Sequence, residues 1–299
     1  MSSEKDTFKD YFPMVAMAGL ILIVQVLALV LASPMDELGM QAVENPESTA
    51  NSFYYIGFIL AFTFLLLLAI KRNMKWVIQL TILLAVGATI FYGFYPILYM
   101  LGISETLSST LGIILAIALS IVLYKFPEWY VIDTIGIIIG AAASSIFGIS
   151  FGILPAIVLL SLLAIYDAIS VYKTKHMIDL AEGVMDLRLP ILFIIPKKLN
   201  YSFIKDGMKK EGERDAFFMG LGDAVMPTVL VVSANVFIAH TGFISYPALG
   251  AIIGTLTGFI GLTIFVMKGK PQAGLPFLNS GVILGYLAGA LLSGTPLLG

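Results

Sequence analysis

Cysteine is absent from the 299 residues, and histidine occurs only twice, at His176 and His240. Without thiols there is no disulfide, no thiolate metal site and no cysteine nucleophile. No H-E-x-x-H motif occurs, which excludes the usual helical zinc-protease site. Charge is scarce as well: Asp, Glu, Lys and Arg make up 12% of the chain, against about 25% in a typical soluble domain. The net charge of −2 offers nothing to a polyanion, so no nucleic-acid partner is implied. Neither is a metal or an organic cofactor. In place of charge there is hydrocarbon: 59% of residues are hydrophobic and the mean hydropathy is +0.98. Such a composition, laid out in long apolar runs, reads as a multi-pass integral membrane protein. The opening "MSSEKDTFKD" is mixed in charge, and the first apolar run lacks a small-x-small cleavage site, so that run reads as a retained helix.

A helix needs about 20 apolar residues to cross a bilayer. The runs that qualify are roughly 12–33, 53–70, 76–102, 107–124, 129–147, 151–172, 216–240, 245–267 and 273–293. The third contains Pro96, which predicts a kink or an early end. The fourth and fifth are joined by the tight turn "YKFPEW". The placement of charge supports this division. With nine spans, all 17 Lys and Arg residues fall in the N-terminal tail or in the connections after spans two, four, six and eight. The connections after the odd-numbered spans carry Asp36, Glu37, Glu44, Glu47 and Glu105 instead. Cytoplasmic segments collect Lys and Arg, so the pattern predicts an inside N-terminus and an outside C-terminus. The expected fold is therefore an all-α polytopic membrane protein of nine transmembrane helices. Residues 1–172 hold six spans, 173–215 form a cytoplasmic loop and 216–299 hold three spans.

Within that loop, "RLPILFIIPKK" carries a β-branched and aromatic run, Ile191–Ile195, between Pro190 and Pro196. It is too short to span and reads as a strand. Two readings are open: an interfacial packing segment, or a strand edge able to accept a peptide.

Two stretches carry an acid into hydrocarbon: "AIYDAISVYK", with Asp167, and "MGLGDAVMP", with Asp223. A carboxylate at a helix centre costs about 2.5–3.5 kcal/mol on insertion scales. Asp167 precedes Lys173 by six residues, and Asp223 follows Ala216 by seven. At 1.5 Å per residue both would lie about 9–10 Å below the cytoplasmic boundary. Consecutive spans are usually neighbours, so the two can meet. Two close carboxyls cannot both ionise cheaply and share a proton, which is the acid–base arrangement of an aspartic protease. Gly220 and Gly222 remove bulk beside Asp223, and Pro227 loosens the helix one turn on. A proton- or sodium-coupled transporter or leak channel would show the same matched depth, and the residues alone leave both readings open.

The motifs resemble a known family. Tyr166-Asp167 is similar to the YD motif, and Gly220-Leu221-Gly222-Asp223 to the GxGD motif, of presenilins and signal peptide peptidases. Their order, the nine spans and the long loop after span six agree with that resemblance. The inside N-terminus is the presenilin orientation and not that of signal peptide peptidase. A microbial presenilin-type homologue is implied. The family's Pro-Ala-Leu motif has an imperfect counterpart in Ala273-Gly274-Leu275, followed by Pro276. Type IV prepilin peptidases share a GxGD aspartate but have fewer spans.

The resemblance implies an intramembrane aspartyl endopeptidase with Asp167 and Asp223 as catalytic dyad. Tyr166, Gly220, Leu221, Gly222, Gly274, Leu275 and Pro276 would shape the site, with the first turn of span nine partly unwound. Substrates would be transmembrane segments or signal-peptide remnants, cut near the cytoplasmic side of the cell membrane. A homo-oligomer is compatible with the sequence.

Other motifs are set aside. Gly148-Ile149-Ser150-Phe151-Gly152 satisfies G-x-S-x-G but lacks the strand–turn–helix setting and a nearby histidine. The G-x-x-x-G pairs, Gly250/Gly254 and Gly281/Gly285 among them, read as helix-packing faces. Asp133 reads as an interfacial, solvated or capped side chain and not as a catalytic one.

Overall fold

The computed structural model describes residues 2–72, 74–174, 192–197, 201–206, 216–266 and 272–297. Side chains are described from residue 12 onward. His176, Ile191, Pro271 and most of the 173–215 loop lie outside the described residues.

The chain runs through α1 (Ser2–Glu37), α2 (Ala50–Lys71), α3 (Lys75–Met100), α4 (Glu105–Lys125), α5 (Trp129–Ser150) and α6 (Ile153–Ile169), which ends in a π-helical turn, Ser170–Thr174. Strand β1 (Leu192–Pro196), a single helical turn (Phe203–Asp206) and strand β2 (Ala216–Gly220) follow. Helices α7 (Leu221–Val236), α8 (Tyr246–Val266) and α9 (Gly274–Ser293) complete the described chain. Eight of these helices are long and apolar enough to cross a membrane, and α7 is a shorter apolar helix.

The inside–outside logic of a soluble protein is reversed at the periphery. Helix α2 turns Phe53, Tyr54, Phe58 and Phe64 outward and buries only Ser52. Lipid is the solvent for those rings, so their exposure carries no penalty. The interior belongs to α7, whose residues Val229–Ala234 are all buried. It is enclosed by α1, α5, α6, α8 and α9. Enclosure explains how so short a helix is tolerated: at 1.5 Å per residue, its 16 residues fall short of the roughly 30 Å hydrocarbon core, but protein surrounds it.

One sequence expectation narrows and another changes. Of the two outcomes expected of Pro96, the early end does not occur: α3 continues through the buried proline to Met100. Span seven does not begin as a helix at Ala216. Residues Ala216–Gly220 are a strand, paired antiparallel with β1 in the register Phe193↔Met219, Ile194↔Phe218 and Ile195↔Phe217. An apolar five-residue run has no periodicity of its own to separate strand from helix; the partner strand decides.

Helices α8 and α9 pack through glycine. A Cβ on Gly250 would run into the Gly285 carbonyl, and one on Gly254 into the Gly281 carbonyl; the reverse substitutions collide in the same way. Backbones this close gain van der Waals contact that lipid cannot match, and they fix the start of α9. The G-x-S-x-G serine is structural: Ser150 Oγ accepts the Ala42 amide at 2.7 Å and donates to the Ile146 carbonyl.

Gly254→Ile is expected to separate α8 from α9 and lower the thermal midpoint in detergent, with a cost of about 1–3 kcal/mol for overpacking. Gly57→Ala, where no atom lies within 4 Å of the added carbon, should leave the midpoint unchanged. Equal midpoints for Gly254→Ile and wild type would show that the helices have room to part.

Candidate active site

The last turns of α6 bring Asp167 inward, where its side chain is 7% exposed. The π-helical turn that follows re-aims the next side chains. Ser170 Oγ donates to the Tyr166 carbonyl at 2.7 Å. Tyr172 reaches across to the residues before α9: its hydroxyl donates to Gln272 Oε1 at 2.8 Å and accepts the Ala273 amide at 3.3 Å.

Helix α9 has a problem at its start. Its N-cap residue is Ala273, whose methyl group cannot accept a hydrogen bond, so the first amides of the helix have no partner of their own. Asp167 supplies one from another helix. Its Oδ2 accepts the Leu275 amide at 3.1 Å, and the Gly274 amide also bonds the carboxylate. The partial positive charge of a helix N-terminus favours an acid there.

Asp223 sits at the third position of α7, with Gly220 as N-cap. It reaches back to the Gly220 amide, the acidic half of a capping box. The two carboxylates converge on Gly274. A Cβ placed on Gly274 would lie 2.8 Å from Asp223 Oδ1 and 2.9 Å from Oδ2, while the Gly274 amide serves Asp167. The two aspartates are close enough for their charges to act on each other. The helical depth count for Asp223 is replaced by different geometry: an extended strand leads directly into the turn that presents it.

Asp223 also lines a cavity of about 170 Å³ bounded by β2, α1, α8, Gln272 and Gly274. The cavity is too small for a helix, about 10–12 Å across with side chains. A larger groove of about 800 Å³ between α8 and α9 contains neither aspartate.

The residues singled out from the sequence are therefore only partly gathered. Asp167, Asp223, Gly220, Gly274 and Leu275 meet, and Tyr166 is half-buried beside Asp167. Leu221 turns instead toward Gly140 of α5. Gly222 is exposed, with no atom within 4 Å of an added Cβ. Pro276 is the third residue of α9, where its missing amide is one the helix would not use. The first turn of α9 is thus helical, not unwound: the borrowed carboxylate supplies what unwinding would have left open. Sequence reasoning missed Tyr172 and Gln272, which no periodicity marks. Of the readings open for Asp133, the solvated one is excluded: it is 6% exposed, and its Oδ1 accepts the Ile194 amide of β1 at 2.8 Å.

A membrane-embedded helical bundle of this build, with paired acids at one helix start, falls in the class of intramembrane aspartate proteases. Residues 18–295 match the family model of signal-peptide peptidase, presenilin aspartyl protease, and the chain belongs to that family. Two solved structures of a presenilin family intramembrane aspartate protease are similar to it. One, in space group C222, shares 42% identity with a TM-score of 0.72, covering 94% of this chain and 100% of its own. The other, in space group P2, shares 42% identity with a TM-score of 0.70, covering 95% and 99%. No curated protein matches.

Gly274→Ala is expected to displace the Asp223 carboxylate and lower kcat about a hundredfold, the scale of a misplacement near 1 Å. Gly222→Ala should retain the wild-type thermal midpoint. Full activity in Gly274→Ala would mean that Asp223 can leave Gly274 without consequence.

Proposed function

We propose that Asp167 and Asp223 are the catalytic dyad of an endopeptidase that hydrolyses peptide bonds in transmembrane segments or signal-peptide remnants. The observation that carries this reading is the convergence of both carboxylates on Gly274, beside a cavity bounded by β2. One carboxylate takes a proton from water as the water attacks the peptide carbonyl, and the other donates a proton to the carbonyl oxygen. We assign the acceptor role to Asp167, which receives two backbone amides, and the donor role to Asp223, which lines the cavity. The transporter reading has no support from the family to which the chain belongs.

The charge segregation favours nine spans, with the N-terminus in the cytoplasm, the C-terminus outside and the dyad near the cytoplasmic face. Residues 1–172 and 216–299 act as one bundle divided by the cytoplasmic loop.

The strand-edge idea moves from β1 to β2. In an antiparallel ladder a residue directs its amide and carbonyl alternately toward and away from its partner strand. The Ile194 amide points to Asp133, so its opposite number, Phe218, turns its own amide and carbonyl to the outer edge. Phe218 lines the cavity with Asp223. A substrate helix hides its amides and must unwind before water can attack, and each freed amide costs several kcal/mol in hydrocarbon. The outer edge of β2 can take up those groups as an added strand.

Asp167→Asn and Asp223→Asn should each abolish cleavage of a labelled single-span peptide in detergent. Asp167→Asn keeps an acceptor for the α9 amides, whereas Asp167→Ala should also lose about 1 kcal/mol of stability, as for a removed cap. Wild-type activity should follow a bell-shaped pH profile whose two apparent constants belong to the pair. A rate still climbing at about pH 9 would contradict proton sharing.

Phe218→Pro removes one outward amide. It should slow cleavage of a helical substrate while leaving binding of a small dyad-directed inhibitor intact. An unchanged rate would end the strand-addition reading. Phe193→Pro is a poorer probe, because the Phe193 amide faces β2 and its ring is fully buried.

A further inference from the structure

Among the described residues the only buried acids are Asp167 and Asp133, and the proposed mechanism uses just the first. A carboxylate removed from water is costly unless it is hydrogen-bonded, so Asp133 calls for an account. It lies one turn into α5, and the start of that helix is shaped to receive the segment that carries β1. Glu128, the N-cap residue of α5, accepts Ser202 Oγ at 2.7 Å and the Phe203 amide at 2.9 Å. Asp133 accepts the Ile194 amide at 2.8 Å. Gly136 leaves its face bare for the Phe193 ring: a Cβ there would lie 3.1 Å from Phe193 Cε1. These three anchors, at intervals of five and three residues along α5, grip the loop segment at its far turn, at an edge amide and at a ring.

The grip also settles which edge of the sheet stays open. Pro196, the next residue whose amide would point toward α5, has none, and Asp133 occupies that of Ile194. Two of the donors on the inner edge of β1 are thereby removed, while Phe218 keeps its amide and carbonyl on the outer edge of β2 for a substrate strand.

We infer that Asp133 is a positioning residue for proteolysis: by holding the Ile194 amide of β1 against α5, it sets the place and register of the β2 edge relative to Asp223. The inference rests on the strand-addition reading above. Asp133 touches neither substrate nor the reacting atoms. Its loss should therefore disturb how the substrate is held more than the chemistry of the dyad.

The test compares Asp133→Ala and Asp133→Asn in the full chain, with a labelled single-span peptide as substrate. Asp133→Ala should raise KM by about tenfold, the scale of leaving a buried backbone amide without its acceptor. It should also spread the cleavage positions along the peptide, while a small dyad-directed inhibitor binds as in wild type. Asp133→Asn, whose Oδ1 can still accept the amide, should restore both KM and cleavage position. Gly136→Ala serves as a second variant that alters no charge. It pushes on the Phe193 ring and should raise KM in the same direction, so the proposal remains testable if Asp133→Ala does not fold.

A wild-type KM and cleavage position in Asp133→Ala would overturn the inference. So would Asp133→Asn failing as badly as Asp133→Ala, or, where Asp133→Ala does not fold, a wild-type KM in Gly136→Ala. Phe218→Pro separates the two levels of argument. If it slows cleavage but Asp133→Ala does not, the anchor is wrong and strand addition stands. If Phe218→Pro has no effect, strand addition itself fails.

Discussion

A backbone amide with no partner is the constraint around which this molecule is arranged. In a soluble protein, water takes up the spare donors at helix starts and strand edges. In hydrocarbon each costs several kcal/mol, and in this chain buried or half-buried carboxylates meet them, Glu128 on the Phe203 amide among them. Asp167 caps a helix whose own N-cap is an alanine. Asp223 caps the helix it belongs to. Asp133 takes up the Ile194 amide at the inner edge of a two-stranded sheet. The acids that are expensive to bury are thus retained where backbone donors offset the expense, and the proposed chemistry uses two of these structural bonds.

That economy links the site to packing some distance away. Asp167 can serve Gly274 and Leu275 only if α9 starts at the right place, and the glycine contacts along α8 and α9 determine where it starts. Gly274 then brings the second aspartate to the same spot, because only a residue without a side chain leaves room for the Asp223 carboxylate. Tyr172, through Gln272 and the Ala273 amide, ties the end of α6 to the same few residues. One short stretch of chain, Gln272–Leu275, therefore receives contacts from α6, α7 and the π-helical turn.

Much of this was legible in the sequence. The apolar runs give the helices, since nothing else crosses hydrocarbon with its backbone satisfied. The YD and GxGD motifs mark the two acids, and the glycine spacing marks a close helix pair. The site residues were legible less evenly. Leu221 stands between Gly220 and Gly222 of the motif, yet it faces α5, because successive residues of a helix point about 100° apart. Gly222 belongs to the motif but faces open space.

The sequence by itself determined the membrane class, the family motifs and the segregation of charge, all of which depend on local composition. The tertiary structure decided what depends on a partner. Ala216–Gly220 became a strand because β1 lies alongside it. The start of α9 remained helical because Asp167 caps it. Asp133 became an anchor, not a solvated acid, because Ile194 presents its amide there. Hydrogen bonds between segments far apart in the chain leave no periodicity in either one, so only their meeting in space reveals them.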